Sequence, residues 1–353
     1  MQTFQKIIVA TALLLAPITM LAQNESSPKQ VPVSVVADHM MRITTPKGTG
    51  MLPLYVSRDL SKPQPDITRA LLVFHGRLRN ADVYNASGQK AVATAGAEGK
   101  TTILITPQFL DQMDVDAFHL KNDVLRWTQE GWMGGEDAIA PAPISSFEAI
   151  DGILLQLANR TIFPNLKEVV LAGHSAGGQV MQRYAVVGRG EAALTKAGVH
   201  VHYVVANPSS YVYFSPDRPL AGGGFGPYKG PSCKGYNNWK YGVIDPPPYV
   251  GNASFADIEA TYAKRDVTYL LGGADTDPNH PVLDKSCSGE AEGPYRLARG
   301  TSYYHYMLAR HPDGLNQKAW EVPGVGHDGD KMFNSSCGLA AIFNIGTCTT
   351  PIK

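Results

Sequence analysis

The sequence predicts an α/β domain: a mainly parallel central sheet with helices on both faces. Three observations carry that expectation. Five short runs are nearly all apolar or β-branched, as strands buried on both faces must be. Amphipathic stretches lie between several of them, and strands that alternate with helices build parallel sheets. Hydrophobic residues make up 44 % of the 353 and charged ones 18 %, enough apolar material for one large core.

The elements follow in chain order. Met1 to Ala22 read as a secretory signal, with Lys6 as the sole charge, an apolar stretch from Ile7 to Leu15 and a small-residue cleavage site at Met20-Leu21-Ala22. The apolar stretch is short for a span of roughly 20 residues and ends near Pro17, so export with cleavage is expected rather than an anchor. Residues 23–31 form a polar, flexible leader, and 32–353 a single domain. Val33–Val36, Met40–Thr45 and Met51–Val56 read as early strands, an antiparallel entry. The buried-strand candidates are Ala70–Phe74, Thr102–Thr106, Val169–Ala172, Val201–Ala206 and Val267–Leu271. Ser146 to Leu157 carries Phe147, Ile150, Ile153, Leu154 and Leu157 on one helical stripe, and Ser175–Val187 and Pro294–Ala309 are further helices. About 207–252 is an aromatic-rich insertion, long for a connection and therefore read as a cover that faces substrate, with a packed surface excursion as the alternative.

Lys+Arg and Asp+Glu both number 31, which argues against a nucleic-acid binder held by a basic surface. No stretch after the signal is apolar enough to span a membrane, so the mature protein is expected outside the cytoplasm, secreted or periplasmic. There the cysteines oxidise. Sequence order favours Cys337–Cys348 as a local clip, which leaves Cys233–Cys287, although four cysteines allow three pairings.

The chemistry centres on Val169-Val-Leu-Ala-Gly173-His174-Ser175-Ala176-Gly177-Gly178. A bare G-x-S-x-G is a weak signal, but here a buried strand precedes it and a helix follows. The turn between them must be tight, and glycines two before and two after the serine let the backbone pass. The serine hydroxyl is then presented at the carboxyl edge of the sheet, above a helix N-terminus whose free N–H groups favour negative charge.

This arrangement resembles the α/β-hydrolase fold over most of the mature chain. The resemblance implies a nucleophile, acid and histidine in that chain order. Leu270-Leu-Gly272-Gly-Ala-Asp275 ends a strand with the family's Gly-x-x-Asp pattern, and Val322-Pro-Gly-Val-Gly-His327-Asp328 resembles its histidine loop. It therefore implies Ser175 as nucleophile, His327 as general base and Asp275 as orienting acid, with Asp277 open as the alternative acid. Leu72-Val-Phe-His75-Gly76-Arg77 is similar to the family's His-Gly signature, which implies backbone oxyanion donors at Arg77 and Ala176. His75 is expected to be structural, and Arg77-Leu-Arg79-Asn80 to bind an acidic group or to be ion-paired. Each type suits its task. A serine hydroxyl needs a base to take its proton, imidazole can take and return it near neutrality, and a carboxylate fixes the tautomer.

Other signals are weaker. Trp132 is a candidate wall of the acyl pocket, and Tyr211 and Trp239 are candidate substrate contacts, with core packing as the alternative for each. Gly324-Val-Gly326-His-Asp-Gly329 fits a dinucleotide pattern but has no βαβ unit after it, so no cofactor is expected. Asp275-Thr-Asp277-Pro-Asn279 starts like a calcium loop and fails at His280 and Ser286. His200 and His202 alternate on a strand and read as sheet histidines rather than metal ligands. The expected activity is hydrolysis of small or polymeric carboxylic esters through an acyl-enzyme, within a polyester-depolymerase or feruloyl-esterase-like branch. A peptidase of the same fold and a non-catalytic binding protein on this scaffold are the alternatives.

Overall fold

The computed structural model describes residues 31–230 and 232–353; the expected signal segment, and all of the leader but Val31, lie outside them. Within these residues the strands are β1 His39–Thr45, β2 Gly48–Val56, β3 Arg69–Phe74, β4 Thr102–Pro107, β5 Glu168–His174, β6 His200–Ala206, β7 Asp217–Pro219, β8 Phe225–Pro227, β9 Asp266–Gly272 and β10 Gln317–Val322. Eight of them form one sheet in the order β1-β2-β4-β3-β5-β6-β9-β10. Pairing is antiparallel at the β1–β2 and β2–β4 junctions and parallel from β4 to β10.

The central strands read as apolar runs because successive side chains serve two cores. Leu72, Val169 and Leu171 belong to one core, and Leu71, Val73, Val170 and Ala172 to the other. Helices Ser146–Leu157, Ala176–Val187 and Arg296–Arg310 contribute to the first, and helices Ala81–Thr94 and Ser336–Phe343 to the second. Ser146–Leu157 follows the expected stripe and starts at a capping box. Ser145 Oγ accepts from Phe147 N, and Glu148 Oε2 accepts from Ser145 N at 2.8 Å.

Val33–Val36 is not a strand. Its neighbourhood is held by side chains instead of a ladder: Val33 N donates to Asp114 Oδ1 and Ala37 N to Gln108 Oε1, each at 2.8 Å. The aromatic stretch after β6 also differs from a simple cover. It forms a small β7–β8 hairpin and irregular loops, and Tyr211, Tyr213 and Tyr249 are buried in the main core. The bridge Cys233–Cys287 ties this stretch to the segment after β9, and Cys337–Cys348 clips the last helix to the C-terminal tail. That tail returns along β10: Glu321 N donates to Thr350 O at 3.0 Å and Ile352 N to Ala319 O at 2.9 Å. Among the described residues no helix is long and apolar enough to cross a membrane.

Candidate active site

Ser175 stands between β5 and helix Ala176–Val187 with φ 59° and ψ −120°, a backbone conformation that L-residues rarely adopt. The tightness of the turn explains its glycines. A Cβ on Gly173 would lie 2.1 Å from Gly177 O, and one on Gly177 would lie 2.3 Å from Phe74 O. Helix, β5 and β3 therefore approach more closely than any side chain allows. Ser175 N donates to Ala206 O at the end of β6, which fixes the turn to the neighbouring strand.

Three distant residues converge here. His327 Nε2 lies 2.9 Å from Ser175 Oγ, and His327 Nδ1 lies 2.8 Å from Asp275 Oδ2. Because a carboxylate only accepts, Nδ1 carries the proton and the Nε2 lone pair faces the serine hydroxyl. Asp275 is buried at the end of β9. Burial works to raise its carboxyl, and the His327 hydrogen bond with the charges of His327 and Arg296 outweighs this, so it stays below the usual range. Burial, together with the Arg296 charge, outweighs the pull of Asp275 on His327 and holds the imidazole below its ordinary value. Asp277 is exposed and accepts from Asn279 N at 2.8 Å, so the structure brings Asp275, and not Asp277, to the histidine.

Arg77 and Ala176 both line the cleft beside Ser175. Ala176 is the first residue of its helix, where an N–H lacks an intrahelical partner. No backbone acceptor among the described residues is paired with either amide. His75 is structural: Nδ1 donates to Gly76 O at 2.8 Å, Nε2 accepts from Phe109 N at 3.0 Å, and burial pushes the ring down to about 4. Arg79 is buried and committed to Asp114, Nε to Oδ2 at 2.6 Å.

The cleft measures about 940 Å³. Its walls include Glu130, Met133, Lys240, Tyr241, Asn279 and the segment 281–286. A second hollow of about 340 Å³, lined by Leu78, Val83 and Tyr84, also reaches Ser175 and His327. Trp132 and Tyr211 do not line the cleft. Both are fully buried, Trp132 stacked on Phe109 at 5.5 Å between ring centres and Tyr211 on Tyr303 at 4.6 Å. Trp239 is half-buried and donates from Nε1 to Gly134 O at 2.6 Å, while its chain neighbours Lys240 and Tyr241 face the cleft. Trp132 and Tyr211 serve the core, and the cleft surface mixes charged side chains with apolar ones such as Met133, Val282 and Leu283. His200 and His202 sit on β6 beside Glu168 and Asp266; His202 Nε2 lies 3.2 Å from Thr268 Oγ1.

Several supporting residues escaped the sequence reading. Asn207 Oδ1 accepts from Gly272 N at 2.7 Å and its Nδ2 donates to Gly326 O at 3.3 Å, stitching the end of β9 to the loop after β10. His174 and His280 flank the His327 ring, with centroids at 4.5 and 5.2 Å. Arg296 packs against Asp275. A visible signal existed for the last: Arg296, Arg299, Tyr303 and Tyr306 share the buried face of one helix, and arginines on such a face need a partner.

No protein-family model matches the chain, and no curated protein matches its sequence. Solved structures do match. Poly(aspartic acid) hydrolase-1 from Sphingomonas sp. KT-1 is 22 % identical, with 87 % of this chain and 98 % of that one covered at a TM-score of 0.59. A poly(3-hydroxybutyrate) depolymerase from Bordetella parapertussis is 20 % identical, with 89 % and 93 % covered at 0.58. The chain has the α/β-hydrolase fold.

Proposed function

We propose that this chain is an exported serine hydrolase that cleaves carboxylic esters through an acyl-enzyme on Ser175. The observation that carries the reading is the continuous relay Ser175 Oγ–His327–Asp275, at 2.9 and 2.8 Å. His327 Nε2 takes the hydroxyl proton as Oγ attacks the ester carbonyl. The resulting oxyanion accepts from the Ala176 and Arg77 amides, and Asp275 stabilises the imidazolium. Collapse expels the alcohol, which receives the proton from His327. Water then repeats the sequence on the acyl-enzyme, and Ser175 regains its proton as the acid leaves.

Arg77, Glu130, Lys240, Asp284 and Lys285 put charges on the cleft wall beside apolar Met133, Val282 and Leu283. A mixed surface of this kind can hold the polar ester groups and the carbon segments of one substrate together. The depolymerase neighbour supports a polyester. Two bridges fit an oxidising compartment, in line with the expected export. Amide hydrolysis is the second reading, because poly(aspartic acid), the substrate named for the other neighbour, is joined by amide bonds.

The test uses purified mature protein, a fluorophosphonate probe, and matched panels of p-nitrophenyl esters and aminoacyl amides. Labelling at Ser175 with ester turnover above amide turnover is expected. Amide turnover in excess would favour the second reading, and absence of both labelling and turnover would leave a binding protein on a hydrolase scaffold.

A further inference from the structure

Arg296 opens helix Arg296–Arg310 and is 1 % exposed. A guanidinium so deeply buried must spend its donors on fixed partners. Its Nη1 lies 3.4 Å from Asp275 Oδ1, the carboxylate oxygen that His327 does not use. Its Nε donates to Ser209 Oγ at 3.0 Å and its Nη2 to Val282 O at 2.7 Å. Ser209 lines the cleft, and Val282 lines both the cleft and the smaller hollow. The next residue closes the arrangement, as Leu297 N donates to Asp275 O at 3.2 Å. One side chain therefore joins the acid, the end of β6 and the cleft wall.

We propose that Arg296 is a positioning residue: it clamps Asp275 on the oxygen His327 leaves free, and its charge sets how acidic the medium can become before His327 loses its function as base. This rests on the ester-hydrolase reading above. The groups that face His327 are Asp275 after β9, Arg296 on its helix, His280 in the segment after β9 and His174 at the end of β5, with Tyr84 bonded behind His174 and Asp328 next in the chain. Asp275 is the carboxylate bonded to the imidazole, and it favours the imidazolium. Arg296 opposes it, since a second cation nearby disfavours protonation. Asp275 is thus strong enough as an acceptor to hold the ring, while His327 stays neutral and able to accept a proton at mildly acid pH.

The experiment compares Arg296→Met, Arg296→Gln and Arg296→Lys on a neutral p-nitrophenyl ester across pH 4.5–9. With the cation gone, the acid limb of kcat/KM is expected to rise by about 0.5–1 pH unit, with kcat falling more than KM changes. Arg296→Lys keeps the charge, so its limb stays at the wild-type position while kcat falls through looser geometry. If the neutral variants fold and their limb matches wild type, the inference is wrong. If they fail to fold, the lysine variant decides: an unmoved limb supports the inference and a raised limb overturns it. A wild-type protein that neither labels with fluorophosphonate nor turns over ester would instead defeat the parent reading.

Discussion

Ser175 holds a conformation that its own side chain disfavours, and the surrounding bonds must over-determine it. Such strain costs on the order of 1–3 kcal/mol. Ser175→Ala retains the Cβ and hence the strain, so turnover should fall by at least about 10³-fold with the melting temperature nearly unchanged. Ser175→Gly should be equally inactive yet more stable by about 1 kcal/mol, read by urea or thermal unfolding. A large loss of stability in either variant would make the serine structural. The acid is tested one residue type at a time. Asp275→Asn should lower kcat by about 10³–10⁴-fold, because the amide can stabilise the wrong tautomer, whereas Asp277→Asn should stay within a few-fold. His327 adds a pH signature. The base works only when neutral, and burial holds it below the usual 6.5, so activity is lost only as the pH falls through that lowered value. The acid limb of kcat/KM should have its midpoint below pH 6.5; a midpoint at or above it would contradict the burial account.

At the scale of elements, what was readable was what is local. The β5–turn–helix unit carries its glycines, its apolar runs and its serine within twenty residues, and each constrains the next. Asp275 and His327 were reached through the family resemblance, which expects an acid and a histidine after later strands. The aromatic stretch after β6 divides: Lys240 and Tyr241 reach the cleft while Tyr211 packs inward, and composition has no direction, so for Tyr211, as for Trp132 before it, only the packing of Tyr303 and Phe109 decides which way the ring points. Val33–Val36 reads as a strand from its valines, but Val33 N is taken by the Asp114 side chain and the following Ala37 N by Gln108, both far along the chain. The two bridges are also element-scale devices. Cys233–Cys287 spans 54 residues and Cys337–Cys348 spans 11, so chain-entropy reasoning assigns about 4 and about 3 kcal/mol respectively. Paired Cys→Ser variants unfolded in urea should show the larger loss for the first. The reverse order would mean that native-state packing, not loop length, governs their effect.

For the whole molecule, the order of the sheet brings the ends of β5, β6 and β9 side by side, and this is where Ser175, Asn207 and Asp275 meet. Alternation of strands and helices was enough to expect the sheet, and the family resemblance placed Ser175 and Asp275 at its edge. Neither pointed to Asn207, to the partner of Arg296 or to the cleft wall at 281–286, because these depend on how loops from separate parts of the chain pack over the sheet. The last feature is at the rim. β10 is the outermost parallel strand, and the returning tail, clipped by Cys337–Cys348, pairs with it at Ala319 and Glu321. An unoccupied border of this kind recruits other chains. Shortening the protein by residues 349–353 should therefore make its solution scatter light increasingly with concentration, while fluorophosphonate still labels Ser175. The final few residues would then matter for colloidal behaviour rather than for chemistry.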